Sequence, residues 1–140
     1  MNLLVDLYNA VSLTHVLCCR ADDLDKVTPP LAFRYAHPTD TFVDMGAAAG
    51  EDPNDLPKPG EVVYADERHV LCPRWNRRQD ARSAISPATR RAVITLQANG
   101  VGDVEAAADD LTRLLQTFCK AQTRVTVADA GCPEVFLSAV

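Results

Sequence analysis

A chain of 140 residues and 15.2 kDa lies in the size range where one hydrophobic core makes one domain, so residues 1–140 are read as a single domain. Its 47% apolar fraction can fill such a core, but the longest apolar runs fall well short of the roughly 20 residues a membrane-spanning helix needs. Fourteen basic against nineteen acidic residues give −5, an average that argues against a polyanion-binding protein.

The Met1 end has an acid, Asp6, where a signal peptide would carry lysine, and no small-residue cleavage site follows, so a cytoplasmic address is expected. Leu3, Leu4, Leu7, Val11, Leu13, Val16 and Leu17 recur at three- and four-residue steps, which predicts a helix over 3–18. Asp22, Asp23 and Asp25 then read as a short turn, and Pro29-Pro30 opens an extended piece over 31–36. Residues 37–60 hold four prolines and three glycines and read as surface loop interrupted by one strand over 41–45. Beyond Gly60, residues 61–65, a tight turn at Asp66-Glu67-Arg68 and residues 69–74 form a hairpin, with Pro73 ending or bulging its second strand. Ser86 to Thr89 reads as a turn before a strand over 92–97, and Asp103 as the cap of a helix over 104–120. A strand over 123–129 with Val125 and Val127 inward, and a last strand over 135–140, complete the reading. Two helices flanking about six short strands give an α+β fold with a mainly antiparallel sheet.

Five cysteines, Cys18, Cys19, Cys72, Cys119 and Cys132, are an odd number without C-x-x-C spacing. They read as buried, reduced thiols, with no metal site and no cofactor expected. His15, His37 and His69 have no spacing suited to a Ser-His-Asp triad.

The net charge hides a strong polarity. Residues 68–91 carry seven arginines, no lysine and one acid, Asp80, a local +6, while the other 116 residues sum to −11. A guanidinium is a planar fork suited to phosphate, carboxylate and ring stacking. Trp75 adds a π-face, and Asn76 and Gln79 add paired donors and acceptors for a base edge or an amino-acid head. The alternative is an arginine-rich loop neutralised by acids from elsewhere in the chain.

The segments Gly60-Glu-Val-Val-Tyr-Ala-Asp66, Val70-Leu-Cys-Pro-Arg-Trp-Asn-Arg-Arg-Gln79, Ile85-Ser86 and Thr89-Arg90, together with the helix containing Leu4-Val-Asp-Leu-Tyr-Asn-Ala-Val-Ser-Leu13, resemble the B3/B4 domain of the phenylalanyl-tRNA synthetase β-subunit. They are most similar to stand-alone proteins built mainly of that domain. Such relatives carry substantial chain before the first helix, so the resemblance implies a short N-terminal side here. In the motif itself this chain has Arg77 where a second tryptophan is usual and Pro73 where an arginine is. Ala81 and Ser83 flank Arg82, with Asp80 displaced by one position.

The resemblance implies a β-sandwich with helices outside and an editing activity. In the synthetase the domain hydrolyses the ester joining a wrong amino acid, typically tyrosine, to tRNA. The implied partner is a tRNA acceptor end or an aminoacyl-tRNA, the implied activity aminoacyl-tRNA deacylation rather than a complete tRNA ligase, and a homodimer or partner protein is left open. A non-catalytic tRNA-, RNA- or amino-acid-binding module and a truncated relic are the alternatives. An aminoacyl ester is already activated, so a positioned water and polar groups at the oxyanion suffice. On this reading Asn76 and Gln79 orient the ester as the catalytic pair. Arg74, Arg78 and Arg82 engage phosphates or the substrate carbonyl, Trp75 packs beside a base or aromatic side chain, and Ser83 supplies a hydroxyl. His69 reads as a strand-end surface residue, and Tyr64 and Asp66 as hairpin supports.

Overall fold

The computed structural model describes residues 2–54, 56–74, 78–98 and 100–137. Its elements are α1 (Leu3–His15), β1 (Cys18–Asp23), β2 (Ala32–Tyr35), β3 (Val62–Ala65), β4 (Val70–Pro73), β5 (Ala92–Gln97) and α2 (Val104–Leu114), with a π-helical turn over Leu115–Cys119. The fold is α+β: an antiparallel three-stranded sheet of order β2-β3-β4, a two-stranded sheet of β1 with β5, and two helices. Among the described residues, no helix is long and apolar enough to cross a membrane.

Contacts group the chain into two compact units, one of Leu3–Cys19 with Leu96 onward and one of Arg20–Thr95. In the first unit α1 stops three residues earlier than its apolar pattern. Val16 takes a left-handed φ of 55°, which a β-branched residue resists, and the Leu17 amide bonds back to the Ser12 carbonyl at 3.1 Å. Helix α2 starts where the sequence places it: the Asp103 carboxylate accepts from the Ala106 amide at 2.9 Å, meeting a donor that has no partner within the helix. Ala107, Ala108, Leu111 and Leu115 are buried on its stripe, whereas Phe118 is exposed. A hydrogen bond of 2.9 Å between the His15 imidazole Nε2 and the Asp110 carboxylate joins the two helices.

The second unit is built around β3, the central strand of the larger sheet. Its alternation sends Tyr64 into a cluster with Val27, Leu71 and Cys72, and Val63 and Ala65 into another with Phe42 and Val70. Both faces of the strand are therefore covered, and it reads as a short continuous apolar run. The Asp66 carboxylate closes the β3–β4 turn by accepting from the Arg68 and His69 amides at 2.8 and 2.6 Å, and it also accepts from the Thr28 amide at 2.8 Å.

Five expectations are corrected. Asp22 and Asp23 belong to strand β1, Cys18–Asp23, whose last four residues are buried, and the expected turn holds only Asp25, at residues 24–26. The expected strand over 41–45 is a single bridge, Asp44 to Asp80, because its backbone groups pair one by one with residues 53, 70, 79 and 81, giving no continuous ladder. Residues 123–129 form no strand, and Val125 and Val127 are exposed, since alternation supplies a face but no partner strand. The expected strand over 135–140 is absent from its described part, 135–137, and the rest lies outside the described residues. Of the cysteines only Cys72 is buried; Cys18 and Cys132 are exposed, and Cys19 and Cys119 lie between.

Candidate functional site

The arginine-rich segment leaves β4 at Arg74, whose left-handed φ of 52° turns the chain. Trp75, Asn76 and Arg77 lie outside the described residues. From Arg78 to Ser83 the segment is stitched on both sides to the body of its unit. On one side the Arg78 guanidinium pairs with the buried Asp44 carboxylate. The Arg82 guanidinium pairs with Asp80, through Nε at 2.9 Å and Nη2 at 2.6 Å, and donates to the hydroxyl and carbonyl of Thr41 at 3.2 Å. Asp80 is fully buried and also accepts from the Val43 and Arg82 amides at 2.9 and 2.7 Å. On the other side the Gln79 amide donates to the Ala21 carbonyl and the Ser83 hydroxyl to Asp22, both at 2.7 Å.

Asp22 belongs to a buried polar core. It accepts a two-pronged pair from Arg20, Nε at 3.1 Å and Nη2 at 2.9 Å, and Arg20 Nη2 also donates to the Leu71 carbonyl at 3.2 Å. Both residues are at most 4% exposed. The Arg20 guanidinium lies 4.7 Å above the Tyr64 ring, a cation–π stack, and Phe33 packs against the same tyrosine with ring centroids 4.9 Å apart. Burial, with the Asp22 charge adding to it, pushes the Tyr64 phenol above its ordinary value, so it stays a neutral phenol at any physiological pH.

Carboxylates thus answer four of the segment's seven arginines. Arg74 pairs with Glu61 at 3.2 Å, Arg78 with Asp44, Arg82 with Asp80, and Arg91 with Asp25, while Arg90 donates to the carbonyls of Pro87 and Thr89. Arg74, Arg78 and Arg82 still keep 27%, 41% and 34% of their side-chain surface exposed. The carboxylates fix one edge of each guanidinium and leave part of it open to solvent. Of the residues singled out in the sequence, Arg78, Gln79, Arg82 and Ser83 come together along one stitched segment. Ser83 is buried at 1% exposure and acts as an anchor. Arg74 stands apart beside Glu61, and Trp75 and Asn76 are outside the described residues.

Sequence reasoning missed Arg20, Asp22, Asp44 and Asp80 as partners. A signal existed for the first two, since Arg20 and Asp22 are two residues apart, which in a strand puts both side chains on one face.

A cavity of about 460 Å³ opens in the same unit. Pro30, Ala32 and Ala65 form its apolar lining, and Arg34, His37, Thr39, Asp40, Asp66 and Glu67 its polar one. Arg34 grips Asp40 with both terminal nitrogens, at 2.8 and 2.7 Å, and Asp40 also accepts from the His37 amide at 2.7 Å. The Arg34 hydrogen bonds hold the Asp40 carboxyl below its ordinary 3.8. A carboxyl depressed in the folded state stabilises the fold above its unfolded value, and that contribution is lost as pH falls through the folded value. Asp40→Asn is therefore expected to lower the urea midpoint at pH 7, and the gap from wild type should narrow as the pH falls below the ordinary 3.8. A gap of constant size across that range would show that the ionised pair contributes nothing.

Comparison with protein-family models matches residues 1–120 to the B3/4 domain. The chain belongs to the B3/4 domain family. The match covers both helices, all five strands and the whole arginine segment, and it relates this B3/4 domain to one of the phenylalanyl-tRNA synthetase. No curated protein and no solved structure matched the chain. Among the described residues of this B3/4 domain, no group of three or more His, Cys, Asp or Glu side chains could hold a metal ion.

Proposed function

We propose that this B3/4 domain acts on the aminoacylated acceptor end of a tRNA and hydrolyses the ester of a misattached amino acid in trans. One observation carries the reading: a family-matched arginine segment is anchored by carboxylates on one side and by β1 on the other, in a unit that also holds a small-molecule-sized cavity. Arg74, Arg78 and Arg82 present pre-oriented guanidinium edges to the acceptor-end phosphates, at little cost in side-chain ordering. Gln79, together with Asn76, orients the ester and its attacking water, and Trp75 packs against a terminal base or an aromatic side chain. The partner, the cytoplasmic setting and the catalytic pair all belong to this proposal.

The pairing of Arg74, Arg78 and Arg82 with Glu61, Asp44 and Asp80 favours a second reading, a non-catalytic module that binds an amino acid or RNA. Neutralised arginines release few counterions, so RNA binding would be weak and only mildly salt-dependent.

Deacylation separates the two. Purified protein mixed with tyrosyl-, phenylalanyl- and other aminoacyl-tRNAs is expected to release one or a few amino acids well above the spontaneous rate. Arg78→Ala should reduce that rate about tenfold. Release at the spontaneous rate from every aminoacyl-tRNA would leave only the binding module.

A further inference from the structure

The cavity lined by Arg34 and Asp40 has an unusual charge balance. It is lined by one guanidinium, Arg34, and three carboxylates, Asp40, Asp66 and Glu67. Arg34 is already answered twice. Asp40 holds it through two hydrogen bonds, and the Asp66 charge also acts on it, raising its affinity for its proton. The one guanidinium of the lining is therefore engaged by carboxylates, and His37 is the other basic side chain there.

Asp66 is 97% buried, its exposure being 3%. Its oxygens accept three backbone amides, which fixes its position. Glu67 is exposed, and its backbone amide is held to the Thr28 carbonyl at 2.9 Å. Pro30, Ala32 and Ala65 give the space an apolar floor, and its volume suits a ligand of amino-acid size.

We propose that this cavity selects a primary ammonium group attached to an apolar body and rejects a free carboxylate. It would therefore take an α-amino acid whose carboxyl is esterified and discharge the same amino acid once that carboxyl is set free. The inference rests on the ester-hydrolysis reading above and names the feature of the substrate that this cavity recognises. An aminoacyl ester carries +1 at its amino-acid end, whereas the product is a zwitterion whose new negative charge faces Asp66 and Glu67. The same excess charge that draws in the substrate expels the product. His37 and Thr39 on the rim offer polar groups to the esterified end.

The test uses three probes that the protein cannot hydrolyse as esters: L-tyrosinamide, which is cationic; N-acetyl-L-tyrosinamide, which is neutral; and L-tyrosine, a zwitterion. Each is titrated into the whole chain while backbone amide shifts are followed by NMR. Tyrosinamide is expected to shift Ala32, Ala65 and Glu67 and to bind at least about tenfold tighter than the other two, roughly what one screened charge interaction supplies. Glu67→Gln, at an exposed position, should leave the fold intact and weaken tyrosinamide about three- to tenfold without changing the neutral probe. Equal affinities for tyrosinamide and its N-acetyl form, or shifts confined to residues away from the cavity, would overturn the proposal. Its failure is distinct from that of the hydrolysis reading. Deacylation with no tyrosinamide shifts here removes the cavity from the reaction, whereas selective tyrosinamide binding without deacylation leaves a charge-selective amine site in a protein that is no hydrolase.

Discussion

Replacing Asp22 with alanine is expected to destabilise the protein by about 3–5 kcal/mol, the loss that follows when one member of a buried ion pair is removed and its partner is left in place. Arg20 is 4% exposed, and Asp22 is its two-pronged acceptor. Without it the guanidinium keeps only the Leu71 carbonyl and the face of Tyr64. The Ser83 hydroxyl also loses its 2.7 Å acceptor, so one anchor of the arginine segment on β1 is lost, leaving the Gln79 bond to Ala21 and the Asp23 amide on the Ser83 carbonyl. For a chain of this size the change corresponds to a melting temperature roughly 10–20 °C lower.

The double variant Arg20→Met with Asp22→Leu is the control, because it replaces the pair with apolar groups of similar volume. It should recover much of the loss, since a well-packed apolar pair often matches a buried ionic one. A thermal unfolding series closes the cycle. If Asp22→Ala falls within about 1 kcal/mol of wild type, Arg20 has reached solvent or another acceptor, and the buried polar core is not a fixed part of the fold.

The second large effect concerns the opposite anchor. Asp80→Ala should cost about 3 kcal/mol, because this fully buried carboxylate accepts two backbone amides and both Nε and Nη2 of Arg82. Bonds to an ionised acceptor are the strong ones, at about 1.5–3 kcal/mol each before compensation. Arg82 is 34% exposed on its side chain and can turn to water, which keeps the total near the lower end for a broken buried pair. The Val43 amide has no such escape.

Asp80→Asn keeps an acceptor for the backbone amides and loses the charge, so about half the destabilisation should remain. Denaturant midpoints of the three proteins, at equal slopes, measure this directly. Asp80→Ala within about 0.5 kcal/mol of wild type would mean that the Arg82 side chain and the 41–44 segment hold each other without it. The same variant tests the function: a loosened Arg82 loses its fixed edge toward Thr41, so deacylation should fall even where the protein remains folded at the assay temperature.

Much of the architecture follows from local chemistry. The Asp103 cap, the β3–β4 hairpin with Asp66 at its turn, the strand over 92–97 and the turn at Ser86 to Thr89 are all dictated by side chains close in sequence. Strand β1 was not legible, because Arg20, Asp22 and Asp23 oppose a buried strand unless partners from residues 71, 83 and 89 are supplied. Val125 and Val127 failed in the opposite sense: their pattern suits a strand, but no strand pairs with them among the described residues.

The site divides in the same way. By itself the sequence determined the family, through motifs whose order and residue types are written in the chain, and it determined that the arginines cluster between residues 68 and 91. It could not determine what those arginines meet. Glu61, Asp44 and Asp25 are 13, 34 and 66 residues from their partners Arg74, Arg78 and Arg91, and no local pattern encodes such distances. Only the tertiary structure decided that three acids from outside the segment, Glu61, Asp44 and Asp25, halve its +6 in space, and that three carboxylates line a cavity with Arg34. The physical reason is that charge adds along the chain without regard to the fold, whereas Coulomb attraction and desolvation act only across the distances that folding creates.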